Sequence, residues 1–342
     1  MHASGFQTGL RHTASALGLG VAAAAGAIWV TGGSPVEALT ALATGAAGSP
    51  EALLRSLAKA TPLLLSGLAV AVALRCGLFN IGAEGQILVG GLAAAWVGGM
   101  DWDAPAWVHA PAALLAGALA GAAWGAVPGI LRGWRGTHEV IVTIMMNYIA
   151  IHLTHYLVNG PLRDPTTMAV ATRPVHEAAR LWSLPGGTQF SAGFFLALAA
   201  AAAVAVMFGR SALGYEIRAV GQGPRAARAA GVPVALTMVR AMCISGALAG
   251  LAGAVEVLGV HRRFFDAFSP GYGFDSIAVA LLGGLSAWGV TLSSVLFGGL
   301  AAGSVYMEGW TATPRQVAGV VQAVVIVAAG SRLLRQRRRD EE

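Results

Sequence analysis

Apolar runs, each long enough to form a membrane-crossing helix, recur from one end of the chain to the other. A helix needs about 20 mostly apolar residues to cross the hydrocarbon core of a bilayer. The pattern predicts an all-α fold: one polytopic transmembrane helix bundle over residues 1–342, with about ten spans. The approximate limits of these spans are 14–31, 57–74, 76–99, 107–131, 139–158, 191–209, 233–258, 273–289, 291–308 and 316–331.

The composition agrees with residence in a membrane. Hydrophobic residues make up 56% of the chain and charged residues only 11%, whereas a soluble domain carries roughly 25% charged residues. A chain with so few charges cannot cover a soluble surface of this size with polar groups. The bundle is therefore expected to contact membrane lipid.

Small residues recur at one-turn spacing within the apolar runs. Gly117, Gly121 and Gly125 are spaced by four residues, and Gly246 and Gly250 repeat the pattern later in the chain. Small residues on one face of a membrane helix allow close approach of a neighbouring backbone. The spacing predicts tight helix packing in a compact bundle.

The two ends of the chain determine its predicted orientation. Arg11 precedes the apolar stretch 14–30, which is longer than a usual signal-peptide core and has no convincing cleavage site after it, so we expect a retained first span. The arginine-rich tail, residues 332–342, lies next to a span, where basic residues fix orientation rather than bind nucleic acid. An even number of spans then places both termini in the cytoplasm.

Two similar motifs suggest an internal repeat. Phe79-Asn80 and Phe274-Asp275 are each followed by a Gly-Gly-Leu sequence and a tryptophan. The motifs are five spans apart, and an odd offset inverts the second copy, as in the inverted repeats of many transporters. Chance similarity between helices rich in glycine and alanine is the alternative.

Residues 75–86 (RCGLFNIGAEGQ) combine polar side chains with a high density of glycine. Asn80, Glu84 and Gln86 fall in or near the membrane, where polar groups face protein or water because their exposure to lipid is costly. The glycines disfavour a regular helix, and irregular backbone is tolerated in a membrane only where it is packed in protein or lines a cavity. We predict an interrupted helix at a translocation pathway. In the alternative, Glu84 caps a helix or pairs with Arg75.

The fifth span begins with a polar stripe. Glu139, Thr143 and Asn147 are each four residues apart, and His155 is expected to continue the same face two turns later. Such a stripe points toward a bundle interior or a water-filled cavity. The alternative is hydrogen bonding between helices without contact to a solute.

Two further carboxylates lie in or near the seventh and eighth spans, Glu256 and Asp275. Arg240 also lies in the seventh span, but it precedes Glu256 by about four turns, which is too far for direct pairing. The arginines and the acid that precede Asp275 are compatible with a position near the outer surface.

Residues 210–232 form a basic segment between two spans. Pro224 is suited to the first turn of a short helix, and Gly231 is placed to end it. With Arg225 and Arg228 on one side and small residues on the other, this helix could dock into a groove of a partner protein. An ordinary basic loop is the alternative.

The chain offers little for metal, redox or nucleotide chemistry. Cys76 and Cys243 have no CxxC partner and are expected to be packing residues. His138-Glu139 is not followed by the second histidine of a zinc-protease motif, so no metal site is predicted. Lys59 is the only lysine and follows no glycine-rich phosphate loop. Any ATP that drives this protein must therefore be bound by a separate subunit.

Four motifs, in this order, resemble those of a known family: residues 78–87 (LFNIGAEGQI), 139–150 (EVIVTIMMNYIA), 160–165 (GPLRDP) and 218–227 (RAVGQGPRAA). They are similar to the permeases of the branched-chain amino acid and simple-sugar ABC importer superfamily. The likeness extends from about residue 55 to residue 330. Within the superfamily it is strongest to nucleoside-type permeases that work with a basic-membrane-protein lipoprotein.

The resemblance implies a bacterial inner-membrane importer subunit that moves nucleosides by alternating access. Its implied partners are a second, non-identical permease, two ATPase subunits that bind ATP and Mg²⁺, and an extracytoplasmic binding lipoprotein. No cofactor is expected on this chain. The residues expected to line or gate the pathway are Asn80, Glu84, Gln86, Glu139, Thr143 and Asn147, and those expected to couple to the ATPase are Tyr215, Arg218, Gly221, Pro224, Ala227 and Gly231.

This sequence departs from the family pattern in two places, and it leaves other functions open. Gly223 and His138 stand where the family usually or often has asparagine, which could alter docking or gating. The same machinery could import simple sugars, purines or branched-chain amino acids. An ATP-independent carrier would use Glu84 and Glu139 as ion or proton relay groups. An intramembrane enzyme would need a nucleophile–base pair or a metal set, and the sequence offers neither.

Overall fold

A computed structural model describes residues 22–23, 25–26, 28–29, 33–102, 104–184, 186–311, 313–314, 316–317, 319–320 and 323. Eleven α-helices from Pro35 to Thr311 lie within these ranges, and they confirm the all-α prediction. They are α1 (Pro35–Ala47), α2 (Pro50–Arg75), α3 (Ala83–Gly98), α4 (Ala106–Arg135), α5 (Glu139–Asn159), α6 (Gly193–Arg210), α7 (Ala212–Gln222), α8 (Pro224–Ala229), α9 (Val234–Val255), α10 (Tyr272–Leu282) and α11 (Ala287–Thr311).

Six helices are long and apolar enough to cross a membrane. They are α2, α4, α5, α6, α11, and α9 together with the π-helical turn Glu256–His261 that extends it. Their limits agree with the predicted spans to within a few residues, except that α2 begins at Pro50 and α11 at Ala287. The first and last predicted spans, and the basic tail 332–342, lie wholly or largely outside the described residues.

The third predicted span is interrupted. Residues 76–82 are not helical, and α3 begins only at Ala83 and has 16 residues. Gly77 has a φ of +75°, a conformation that residues with a side chain rarely adopt. The predicted limit of residue 76 was therefore wrong, while the interruption expected from the glycine-rich sequence is confirmed.

The eighth predicted span, residues 273–289, is also wrong in its length. Helix α10 has only 11 residues and ends at Leu282, after which the chain turns and α11 begins at Ala287. At 1.5 Å per residue α10 is about 17 Å long, roughly half the thickness of the hydrocarbon core. The apolar run is continuous in sequence because the turn residues, glycine, leucine and serine, are also small or apolar.

Residues Thr61–Ser294 form one compact unit, with α3, α4 and α9 at its centre. The predicted glycine faces meet: a β-carbon on Gly125 would lie 3.2 Å from the Cα of Gly246, and one on Gly121 would lie 2.7 Å from the Cα of Gly250. Neither position has room for a side chain. The close packing predicted from the glycine spacing is confirmed within this unit.

The second compact unit contains the described residues up to Ala60 and from Val295 onward. Ile28, Ala38, Ala41 and Met307 form its buried apolar cluster. The hydroxyl of Ser56 donates to the carbonyl of Ala46 at 2.6 Å, which joins the start of α2 to the end of α1.

Two ends of the unit Thr61–Ser294 are distinguished by their connections. The long-loop end carries residues 160–192, whose short antiparallel bridges join Arg163 to Thr172 and Ala171 to Phe265. The short-helix end carries α7 and α8 together with the turn after Arg75.

Candidate functional site

The interruption between α2 and α3 carries a closed network of polar side chains. The amide of Asn80 donates to Gln86 Oε1 at 2.9 Å and to the hydroxyl of Ser245 at 2.8 Å, and Gln86 donates back to Asn80 Oδ1 at 3.3 Å. Ser245 in turn donates to the carbonyl of Ala69 at 2.7 Å. Asn80 and Ser245 are fully buried and Gln86 nearly so. The network joins the interruption to α2, α3 and α9.

A second set of bonds ties the interruption to α5. Asn147 Oδ1 accepts from the backbone N–H of Gly85 at 2.8 Å, and its amide donates to the carbonyl of Ile81 at 2.9 Å. Thr143, one turn earlier, is buried, and a β-carbon on Gly82 would lie 3.1 Å from the Thr143 Cβ. The interrupted backbone thus obtains hydrogen bonds from a neighbouring helix, as irregular backbone in a membrane requires.

Replacing Asn147 with alanine is expected to destabilise this segment. The change leaves the N–H of Gly85 and the carbonyl of Ile81 without their partner, and each buried unsatisfied group costs about 1–3 kcal/mol. We expect a clear drop in the temperature at which the purified protein loses its fold in detergent. Asn159→Ala is the matched control, because Asn159 lies on the same helix with an exposed side chain. Equal melting temperatures for the two variants would contradict the conclusion that the hydrogen bonds of Asn147 stabilise the interrupted segment.

Glu84 connects the start of α3 to the start of α10. Its Oε2 accepts from the backbone N–H of Gly273 at 2.7 Å, and only 5% of the residue is exposed. Gly273 lies in the first turn of α10, where backbone N–H groups have no partner within the helix and favour an anion. Glu84 therefore caps a helix, which was one of the alternatives considered for it. The helix that it caps is α10, which is distant from Glu84 in the sequence. Arg75 does not pair with Glu84, because its Nε donates to the carbonyl of Leu285 at 2.8 Å.

Glu139 lies at the beginning of α5, apart from the Asn80 network. Its Oε2 is 3.2 Å from Arg132 Nε, which is ion-pair distance but not hydrogen-bond geometry. The stripe predicted on α5 is buried at Glu139, Thr143 and Asn147. The structure therefore places the three residues on one interior face, with Glu139 at its short-helix end.

His155 does not continue that face, and this expectation was wrong. The side chain of His155 is 56% exposed, and its Nδ1 lies 2.7 Å from Asp266 Oδ2. A step of four residues rotates about 400° around an α-helix, so repeated steps of four drift away from a fixed face. A step of three restores it, and the buried positions after Asn147 are Ala150, Thr154 and Val158.

The predicted short helix is present in the basic segment. Helix α8 begins at Pro224, and Gly231 has a φ of +83° just beyond its end, which confirms both helix signals. Ala227 is buried, whereas Arg225 and Arg228 are exposed. The segment therefore presents a basic helix surface that is available to a partner.

Helix α7 attaches this surface to the rest of the unit. Tyr215 is 59% exposed, while Arg218 donates to the carbonyl of Phe208. Glu216 lies 3.5 Å from Arg240, the arginine of the seventh predicted span. The anchoring contacts come from α6 and α9, whereas the side chain of Tyr215 is exposed.

Gly221, at the end of α7, packs directly against the turn that follows α2. A β-carbon on Gly221 would lie 2.9 Å from the carbonyl carbon of Arg75 and far inside contact distance of its oxygen. A β-carbon on Gly77 would in turn lie 3.4 Å from the Cα of Gly221. The segment with the exposed basic helix is therefore in backbone contact with the segment that carries Asn80.

The remaining carboxylates, Glu256 and Asp275, both act electrostatically on Tyr272, as Glu84 does. Glu256 is buried at the start of the π-helical turn, and its Oε2 lies 3.5 Å from His261 Nε2. A π-helix brings residues five apart onto one side, which explains why these two side chains meet. Asp275 lies in the first turn of α10 and is exposed.

Sequence reasoning missed several partners of the candidate residues. Ser245 is one small residue in a helix of alanine and glycine, and Gly273 is separated from Glu84 by 189 residues. Arg132 is seven residues before Glu139 and was not paired with it. Of these partners, only Gly273 could have been suspected from the sequence. A glycine beside the Phe274-Asp275 motif can mark a position where another backbone approaches closely.

Comparison with known proteins gives a match over most of the chain. A family model described as "Branched-chain amino acid transport system / permease component" matches residues 52–330. The match includes the interruption before α3, the polar face of α5 and the helices α7 and α8.

Individual relatives extend the comparison. The chain is 45% identical to the guanosine ABC transporter permease protein NupP of Bacillus subtilis, over 92% of this chain and 90% of that protein. It is 37% identical to the glucose ABC transporter permease protein TsgB13 of Haloferax volcanii, over 86% and 80%. It is 35% identical to the nucleoside ABC transporter permease protein NupB of Lactococcus lactis, over 86% and 83%. The likeness thus covers at least four fifths of each protein.

Proposed function

Because the chain belongs to the family of branched-chain amino acid transport permease components, we propose that it is the transmembrane permease of an ATP-driven importer that carries nucleosides into the cell. The family resemblance inferred from the four sequence motifs is confirmed. The chain is a transport component rather than an enzyme.

The cargo is argued from the relatives. The observation that carries it is the 45% identity to a guanosine permease over nine tenths of both proteins. A second relative, at 35% identity, is a nucleoside permease. The glucose permease at 37% identity keeps a simple sugar as the second candidate.

The proposed gate is the interrupted segment between α2 and α3. Interrupted helices line solute sites in many transporters because their free backbone groups face a cavity or a partner helix. Here Asn147 bonds to the N–H of Gly85 and the carbonyl of Ile81, the side chains of Asn80 and Gln86 bond to each other, and Glu84 accepts from the N–H of Gly273 at the start of α10. In an alternating-access cycle these bonds would break and form again, with Thr143 beside them and Glu139 at the cytoplasmic mouth.

In this proposal, partner subunits supply the energy for transport by hydrolysing ATP. Two ATPase subunits would bind ATP and Mg²⁺ and dock on α8 and the exposed Tyr215, and their closure would reach the gate through Gly221. A second permease would complete the pathway, and an extracytoplasmic lipoprotein would deliver the solute. This chain itself would bind neither nucleotide nor metal.

In the proposed topology, the short-helix end lies on the cytoplasmic side of a bacterial inner membrane. The long-loop end lies on the extracytoplasmic side of that membrane. This topology has ten spans with both termini inside, of which two lie largely beyond the described residues. Helices α3 and α10 are both shorter than a full span and both begin at the Glu84–Gly273 contact. This pairing of two short helices is what supports an inverted five-span repeat.

Uptake measurements test the proposed function. Cells with and without this chain are given radiolabelled guanosine, with unlabelled adenosine, ribose, glucose, adenine or leucine as competitors. We expect uptake to disappear on deletion, to return with the wild-type gene, and to be blocked by the nucleoside alone. ATP depletion should stop uptake, whereas collapse of the proton gradient at constant ATP should not. Guanosine uptake that survives deletion, or that glucose blocks, would remove the nucleoside assignment.

A further inference from the structure

A cavity of about 530 Å³ opens at the long-loop end, between the end of α3 and the loop that follows α5. A smaller cavity of about 300 Å³ adjoins it and shares Gly99, Asp101 and Arg173. Neither cavity contains a residue of the Asn80 network. The residues that shape the larger cavity are Trp96, Asp101, Trp102, Arg163, Thr172 and Arg173.

On the aromatic side of the cavity, Trp102 packs against the first of two stacked histidine rings that are not part of the cavity lining. The ring of Trp102 meets the ring of His109 edge to face, with 5.2 Å between centroids, and His109 stacks on His176 at 5.7 Å. His109 is fully buried, and its Nε2 lies 3.0 Å from the carbonyl of Val97 at the end of α3. Trp102 itself remains 42% exposed. A fixed aromatic ring with an accessible surface suits stacking of a planar ligand.

The opposite wall is also fixed by hydrogen bonds. Thr172 is buried, and its N–H donates to the carbonyl of Phe264 at 2.9 Å while its hydroxyl accepts from the N–H of Phe264 at 3.1 Å. The antiparallel bridge between Arg163 and Thr172 joins the two sides of this loop. The backbone that carries the two arginines of the cavity is therefore held in place by hydrogen bonds, while their side chains are exposed.

The two cavities carry charged groups of both signs. Asp101, Arg163 and Arg173 are exposed, and Asp164 lines the smaller cavity. Hydrogen bonds from the side chain and the backbone of Thr166 hold the pKa of Asp164 below its usual value, so this carboxyl is ionised at neutral pH. Arg263 also acts electrostatically on Asp164. The site thus offers both carboxylate acceptors and guanidinium donors, which suits a ligand that carries hydrogen-bond donors and acceptors of its own.

We propose that this cavity is a receiving site for the neutral, ring-bearing solute, in which the base of a nucleoside stacks on Trp102 and its polar edges and hydroxyls bond to Asp101, Arg163 and Arg173. The site lies on the side where the binding lipoprotein would release its cargo, and it precedes the closed gate at Asn80. This inference rests on the proposed function. The cavity is within the usual range of about 300–1,000 Å³ for small-molecule sites.

The test compares two tryptophans. Trp102→Ala removes the stacking surface, and Trp107→Ala removes a tryptophan that is 79% exposed, five residues away, and outside the cavity lining. We expect Trp102→Ala to raise the KM of guanosine uptake about tenfold, the effect of removing one aromatic partner from a stacked base. Trp107→Ala should leave KM unchanged, and Trp102→Phe should retain most of the affinity. Membrane abundance of each variant checks that the protein is folded.

Photolabelling gives a second measurement that does not depend on transport. Membranes with the assembled complex but without the binding lipoprotein are irradiated with 8-azidoadenosine, and labelled peptides are identified by mass spectrometry. We expect label in the peptide that contains residues 96–102 or 163–173, reduced by Trp102→Ala and by excess unlabelled guanosine but not by ribose.

The outcomes separate the two proposals. Wild-type cells that take up guanosine, with KM and label both unaffected by Trp102→Ala, would overturn the receiving site and leave the importer assignment in place. A raised KM without any label in the wild type would identify the cavity as a docking surface for the lipoprotein, which also overturns the receiving site. Wild-type cells without guanosine uptake would instead remove the proposed function.

Discussion

Glu84→Ala is expected to abolish or nearly abolish solute uptake while the protein still assembles in the membrane. The change removes the acceptor for the N–H of Gly273, and α10 then begins with an unsatisfied donor inside the protein. Such a group costs about 1–3 kcal/mol, so the closed contact between α3 and α10 weakens by about tenfold or more. The Asn80 network and the α4–α9 packing do not involve this carboxylate and should hold the fold. Uptake rates and membrane abundance, measured together, check both parts of the expectation.

Two further variants sharpen this test. Glu84→Gln keeps an oxygen acceptor without the charge and should retain part of the uptake. Glu177→Ala removes a carboxylate that is 85% exposed and forms only a surface ion pair with Arg180, so it should have no effect. Wild-type uptake by Glu84→Ala would remove this residue from the pathway. Loss of the protein from the membrane would show that Glu84 is required for folding rather than for gating.

The parts of the fold that depend on local sequence could be predicted from it. The limits of α5 follow from an apolar run with a polar face, and the interruption at residues 76–82 follows from glycine density. The start of α8 at Pro224 and its end before Gly231 follow from helix signals that act within one turn. In each case the physical cause lies within a few residues of the effect.

The parts that depend on distant contacts could not be predicted. The hydrogen bond between Glu84 and Gly273 joins residues 189 positions apart, and the local sequence around either residue does not predict the other as its partner. Helix α10 ends after 11 residues although the apolar run continues, because a turn of small and apolar residues looks like a span in hydropathy alone. The sequence singled out the polar residues of the candidate site, but their hydrogen-bond partners required the structure.

The contacts suggest how a force applied at the short-helix end would reach the proposed gate. Helix α7 is anchored near its middle by the ion pair of Glu216 with Arg240, and it abuts the turn after Arg75 through Gly221 at its end. Five residues beyond Arg75 the chain reaches Asn80. A displaced α7 would therefore press on the turn that leads into the interrupted segment, without passing along a whole span.

Gly221→Ala is expected to uncouple the transporter. The added β-carbon would lie 2.9 Å from the carbonyl carbon of Arg75 and 3.2 Å from that of Cys76, so α7 and the turn must separate. Overpacking of this kind typically costs about 1–3 kcal/mol. We expect uptake to fall about tenfold or more on that scale, while the assembled complex still hydrolyses ATP and no longer responds to loaded binding protein.

Gly223→Ala is the matched control for this prediction. Gly223 lies two residues further along the same segment, has an extended φ of −178°, and a β-carbon there would meet only the Ala226 Cβ at 3.8 Å. It should therefore keep both uptake and stimulated ATP hydrolysis. If Gly221→Ala also retains both, the backbone contact between α7 and the Arg75 turn does not transmit the motion. If both variants lose uptake, the effect belongs to the docking surface for the ATPase, because the control leaves the Arg75 turn untouched.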